Sequence, residues 1–222
     1  MDNTKTSRRV RNSIGVLLLA AVATVGTGNL WTRNPPAPNA FIEKNYALGQ
    51  ADAPVTIVEF SDFQCFYCQK FTRETLPLIR KNYIDTGKVR FVFSDFPLDR
   101  IHPQARGASH AARCAGRQDK FWPYHDLLFA SKLRALGPSL FEKLAERSGL
   151  DMKSYRKCMR DDAVGGEIEA NLRRAVQIGV QGTPAFLIVT PTGGKLISGA
   201  YPYPTFSKIL DAELKEAAAR NK

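Results

Sequence analysis

Cysteine and histidine are scarce in this chain, four and three of 222 residues. Four cysteines do not make a stapled miniprotein, and a folded part of roughly 180 residues buries enough apolar surface to need no disulfide scaffold. A second C-x-x-C is missing, and Cys114 and Cys158 supply no close Cys/His cluster, so the ligand set of a structural zinc site is not there. No metal or cofactor is expected. No internal repeat is evident. The charge is +11, with Lys+Arg 32 against Asp+Glu 21, but no long basic run or nucleic-acid motif accompanies it. Nucleic acid is therefore not an expected partner, and the charge reads as a soluble basic surface.

Charge is also missing from Ser13 to Thr32, and that absence is informative. Lys5, Arg8, Arg9 and Arg11 precede it, and Ile14 to Val25 forms its apolar core. A basic flank before an apolar core is the layout of an export signal, with the N-terminus retained inside. Residues 1–32 are read as a signal peptide or signal anchor; Ala21-Val22-Ala23 offers a small-x-small cleavage site, so both remain open. Residues 33–45, with Pro35, Pro36 and Pro38, read as an extended linker. Export places the rest in a periplasmic or extracytoplasmic compartment where disulfides persist.

The remainder reads as α/β. Val55 to Phe60 is β-branched and bounded by turn signals, a central strand. A helix is expected from about Cys65 to Tyr83, kinked at Pro77, and then a strand over Val89–Phe93. That is a β-α-β unit with parallel strands. Helical segments follow over 103–116, 121–134, 138–148, 151–161 and 164–178. Ala185–Val189 and Lys195–Ser198, joined through a Gly-containing turn, make a hairpin, and Thr205–Ala219 a terminal helix.

Cys65-Phe66-Tyr67-Cys68 follows a strand and opens a helix. Free backbone N–H groups and the positive end of the helix dipole stabilise an anion there. Cys65 should ionise readily and act as nucleophile or leaving group, while Cys68, one turn on, should be enclosed and resolve a mixed disulfide. Glu59 lies six residues earlier in an apolar strand. On its own it reads as a solvent-facing carboxylate; buried beneath the dithiol it would have a raised pKa and accept the proton of Cys68. Cys114 and Cys158 fall on different expected helices. In an oxidising compartment a disulfide between them is the expectation, contributing about 4 kcal/mol in the chain-entropy model; two inert buried thiols are the alternative. His102, His110 and His125 are read as structural.

Three stretches carry a resemblance: Ala53 through Cys68, Gln118 through Phe129 and Gly179 through Phe186. In this order they resemble the DsbA-like group of thioredoxin-fold proteins, over residues 46–215. The resemblance implies a thioredoxin core over 46–100 and 180–222, within a domain 46–222, interrupted by a helical insertion over 101–179. It implies that Pro184 is cis and packed against the dithiol, that Thr183 offers backbone pairing to a client, with Phe66 and Tyr67 beside it, and that Glu59 is the buried acid. It implies clients that are unfolded or reduced exported proteins, and reoxidation by a membrane partner of the DsbB or VKOR type. Two features depart from the pattern. Phe66-Tyr67 replaces the common Pro-Tyr or Pro-His, which predicts a less acidic Cys65 than in the strongest oxidants. Thr183 is the residue usual in isomerase-type relatives, but the chain has no room for their N-terminal dimerisation domain, and a monomer is expected. An oxidase is the expected function. A reductase or isomerase using the same site is the alternative, and an anchored non-enzymatic binding or chaperone module the second.

Overall fold

The computed structural model describes Met1, residues 46–191 and residues 193–220. The signal or anchor expected over 1–32 and the linker over 33–45 lie outside the described residues, Met1 apart. Among the described residues, no helix is long and apolar enough to cross a membrane.

Five strands form one sheet in the order β1-β3-β2-β4-β5: β1 (Ala47–Leu48), β2 (Val55–Ser61), β3 (Val89–Asp95), β4 (Ala185–Thr190) and β5 (Gly193–Ser198). β2 and β3 are parallel, and β1–β3, β2–β4 and β4–β5 are antiparallel. β2 is central because it can be covered on both faces. All of its residues but Thr56 are buried, so its β-branched sequence matches its environment. β1 carries no sequence signal at two residues long. The turn after it depends on Gly49, whose φ is +86° and where a Cβ would stand 2.7 Å from the Val89 carbonyl oxygen.

The helix expected from Cys65 to Tyr83 is instead three pieces: α1 (Phe66–Glu74), α2 (Leu76–Ile79) and a π-helical turn over Arg80–Ile84. The break falls at Thr75 rather than at Pro77. Pro77 has no N–H to give the preceding turn, and it sits in the first turn of α2, where none is needed. Between β3 and β4 come α3 (Ala105–Gly116), α4 (Phe121–Ala130), α5 (Pro138–Arg147), α6 (Met152–Cys158) and α7 (Asp162–Gln177), and α8 (Tyr203–Arg220) follows β5. The expected helix over 121–134 stops at Ala130 and gives way to a short 3-10 turn at Leu133–Ala135.

Side-chain alternation along β2 divides the core. Val58 and Phe60 pack with Ala175 and Val180 on one face. Val55 and Ile57 pack on the other with Phe71 of α1, Ile79 of α2 and Phe206 and Leu210 of α8. Further along that second face, Phe63 and Phe93 meet Phe121, Phe129 and His125 of α4. Arg113 of α3 is 1% exposed and fastens this layer. Its Nε donates to Asp95 Oδ2 at 2.7 Å and its Nη1 to Glu167 Oε2 at 2.9 Å, with the guanidinium 4.9 Å from the Tyr46 ring centre.

Removing one partner of a buried ion pair leaves the other charged and desolvated. Arg113→Met is therefore expected to cost about 3–5 kcal/mol, a fall of about 10 °C in the thermal midpoint. Adding Asp95→Leu should recover part of that loss; a double variant less stable than the single one would show that the pairing is not what Arg113 contributes.

Candidate active site

β2 ends at Ser61, and a turn over Asp62–Gln64 delivers Cys65 to the start of α1. Cys65 is the N-cap residue with extended backbone (φ −78°, ψ 124°), and its N–H donates to the Asp62 carbonyl at 3.0 Å. Asp62 is fully buried, and its carboxylate holds the turn. It accepts from Gln64 N at 2.7 Å and Leu98 N at 2.8 Å and lies 2.8 Å from His102 Nδ1. The loop after β3 is thereby tied to the segment that carries the dithiol.

Cys65 and Cys68 are free thiols, and the second is fully buried. Cys65 is 5% exposed, while Phe66 and Tyr67 between them are 61% and 60% exposed, their rings edge to face at 5.5 Å. The Thr183–Pro184 peptide is cis. It brings the Thr183 carbonyl oxygen to 3.5 Å from Cys65 Sγ, and the far side of the loop is held by Gly199 N donating to the Pro184 carbonyl at 2.8 Å.

The two sulfurs are pushed in opposite directions. Cys65 is brought down to about 6, first by the Cys68 thiol as hydrogen-bond donor, against a desolvation cost. Thr183 and the N–H groups of Cys68 and Tyr67 then add to the lowering. The Thr183 hydroxyl has no hydrogen-bond partner among the described residues, so it is free to turn toward a thiolate. No acidic residue in the first turn of α1 opposes the anion. Cys68 is driven well above the ordinary thiol value by burial, then by its hydrogen bond to Cys65 and by the charges on Cys65 and Glu59.

Glu59 is not a solvent-facing carboxylate. It is fully buried in β2, between Phe93 of β3 and Phe186 of β4 in the sheet register. Neither carboxylate oxygen has a hydrogen-bond partner with ordinary geometry among the described residues. Desolvation pushes the carboxyl up to about 8; the Ser61 hydroxyl pulls it down somewhat and Cys65 pushes it further up.

Cys114 and Cys158 are joined by a disulfide of 2.05 Å between α3 and α6. His110 Nε2 lies 3.0 Å from the Cys158 carbonyl oxygen. His125 is buried among aromatic rings, 2.8 Å from Asp126 Oδ1, and burial lowers its pKa. Among the described residues, no group of three or more His, Cys, Asp or Glu converges as a metal site. Three contributors were not read from the sequence: Asp62, Ser61 and Gln69, whose side-chain amide donates to the Phe129 and Ser131 carbonyls at 2.8 and 2.9 Å and ties α1 to the end of α4. Strand alternation from Glu59 could have found Ser61. Nothing local marks Gln69 or the fastening of Asp62 to the loop after β3, because the partners involved are 36 to 62 residues away.

A dithiol opening a helix, facing a cis-proline loop on a mixed sheet, defines a thioredoxin-like fold of the DsbA-like kind. The sequence profile described as thioredoxin matches residues 42–212, and the chain belongs to that family. It is 28% identical over 176 residues to a probable disulfide bond formation protein D of Bacillus anthracis, over 77% of this chain and 78% of that protein. It is 33% identical over 178 residues, 80% of this chain, to Na(+)/H(+) antiporter NhaA 3 of Salinispora tropica. The chain spans about a quarter of the length of the antiporters it matches, 26% and 23% of two of them. Among solved structures, alpha-DsbA1 of Wolbachia pipientis superposes with a TM-score of 0.69 at 23% identity, over 80% of this chain and 94% of that one. Oxidised BdbD of Bacillus subtilis superposes at 0.67 with 26% identity, over 77% and 92%.

Two outcomes follow from the shifted groups. Alkylation of the reduced protein by iodoacetamide should modify Cys65 first, its rate rising through pH 6 rather than pH 9; a midpoint near that of a free thiol would contradict the site's electrostatics. Glu59, raised from 4.5 to about 8, favours folding fully below pH 4.5 and loses that contribution as pH rises to 8. Glu59→Gln should therefore flatten this part of the stability profile and stabilise the fold at pH 7 by about 3 kcal/mol. A profile unchanged in denaturant titrations would mean that the carboxyl is hydrated.

Proposed function

We propose that this chain is an extracytoplasmic thiol–disulfide oxidoreductase that introduces disulfides into exported proteins at Cys65 and Cys68. The observation that carries the reading is the splitting of the two thiols, an acidic Cys65 at the mouth of the site above a buried, weakly acidic Cys68. A client thiolate attacks Cys65 Sγ of the oxidised pair and displaces Cys68, which takes up a proton. The client's second thiol then attacks the mixed disulfide and releases Cys65 as a thiolate, a good leaving group because of its lowered pKa. Glu59, protonated near neutrality, is the proton source and sink for Cys68. Thr183 and Pro184 position the client backbone beside Cys65, and Phe66 and Tyr67 offer it exposed apolar surface.

The direction follows from where the thiolate exists. Only the reduced enzyme has a Cys65 anion to stabilise, so lowering its pKa favours the reduced form and makes the disulfide a better oxidant. A value of about 6 lies between roughly 7 in thioredoxin and 3.5 in the most oxidising DsbA, in keeping with a site lacking Pro and His between its cysteines. The disulfide bond formation proteins among the relatives support the oxidising direction. We assign the helical stretch 101–179 as an insertion in a thioredoxin core of 46–100 and 180–222. The working protein is a monomer, exported or anchored through residues 1–32. Its clients are unfolded or reduced exported proteins, and a membrane partner of the DsbB or VKOR type reoxidises it.

Equilibration of the full chain with glutathione buffers tests this reading. The expected potential lies between roughly −270 mV, the value for thioredoxin, and roughly −120 mV, that for DsbA. A value at or below that of thioredoxin would make the chain a reductase, and no reversible exchange would leave a binding or chaperone module.

A further inference from the structure

Glu59 and Ser61 are two residues apart on β2, so their side chains share the face over which α1 begins. Both are fully buried, and neither Glu59 oxygen nor Ser61 Oγ has a partner with ordinary hydrogen-bond geometry among the described residues. Buried polar atoms are as a rule paired, so two unpaired groups side by side beneath a reactive thiol call for an explanation. The Ser61 hydroxyl nonetheless stands close enough to pull down the pKa of both Glu59 and Cys68. The charge of Glu59 in turn raises the pKa of Cys68. A serine hydroxyl has one proton to donate and two lone pairs to accept with. It can therefore take a proton on one side while giving one on the other.

We propose that Ser61 is the relay between Cys68 and Glu59, a positioning residue that makes the buried proton transfer concerted. The proposal rests on the dithiol-exchange reading above. When Cys68 resolves a mixed disulfide, its S–H proton passes to Ser61 Oγ and the Ser61 proton passes to the Glu59 carboxylate. The Cys68 sulfur then bonds to Cys65 Sγ, and the bond from Cys65 to the departing thiol breaks, that thiol leaving with the electron pair. In the donating direction Cys68 leaves as the anion and both protons move the other way. Ser61 is unchanged in each case.

The titratable groups around this pair are few. Cys65 at the N-cap of α1 and Cys68 within it lie above the pair, Asp95 is the register partner of Ser61 on β3 and is held by Arg113 of α3, and His125 of α4 packs on Phe93 beside Glu59. β4 contributes the apolar Phe186.

The test is stopped-flow oxidation of the reduced full chain by excess oxidised glutathione. Formation of the Cys65–glutathione mixed disulfide is then fast, and Cys68 attack becomes the observed first-order step. Ser61→Ala should slow that step on the order of 10²-fold while leaving Cys65 alkylation within about threefold. Its rate should lose the rise through pH 8 set by Glu59. Ser61→Thr, which keeps the hydroxyl, should restore both. Glu59→Gln combined with Ser61→Ala should be no slower than the worse single variant. In wild-type protein, a plot of the rate against deuterium content should curve, as two moving protons require. A linear plot, an unslowed Ser61→Ala beside a slow Glu59→Gln, or a Ser61→Thr as slow as Ser61→Ala would each overturn the relay. If wild-type protein does not react with oxidised glutathione at all, the dithiol reading fails instead.

Discussion

β2 is paired on both edges and covered on both faces, and the chemistry of the molecule depends on that enclosure. A strand so placed has no hydrated side, so every side chain on it must tolerate an apolar surrounding. Six of its seven residues are buried, and Glu59 is among them. In that position a carboxyl is held neutral because ionising it without a hydrogen bond costs more than keeping the proton. The strand's end, the start of α1 and the cis Thr183–Pro184 peptide then meet at one place, since β4 is antiparallel to β2 and begins where β2 ends.

Within that place, two thiols three residues apart acquire different characters from geometry alone. Cys65 sits where N–H groups of the first turn are unpaired and where Cys68 can donate to it. Cys68 is enclosed by the sheet and faces Glu59 and the charge of Cys65. One anion is favoured and a second is suppressed, so the pair behaves as a nucleophile and a reserve rather than as two equal thiols. The bulky Phe66 and Tyr67 do not disturb this, because their rings point outward and leave the first-turn N–H groups available.

Much of the arrangement was legible in the residues. The β-branched run of β2, the C-x-x-C that follows it and the turn signals around β4 and β5 are local patterns, and they gave the element order. The burial of Glu59 was not local. Alternation along a strand says which residues share a face, but only the pairing of β3 and β4 on either side says that both faces are covered. Asp62 illustrates the same limit: two of its three contacts, Leu98 and His102, are set by a loop that returns 36 to 40 residues later. The break lies at Thr75 and not at Pro77, because a proline is tolerated in the first turn of a new helix and there marks its start.

The Cys114–Cys158 bridge joins α3 to α6 across a sequence separation of 44. Two electrons had to leave those sulfurs before the chain reached this state. Each molecule is thus itself the product of an oxidation event during its own maturation. Newly made copies stand in the same queue as the proteins they are proposed to oxidise, and the first functional copy in a compartment owes its finished form to an oxidant already present there.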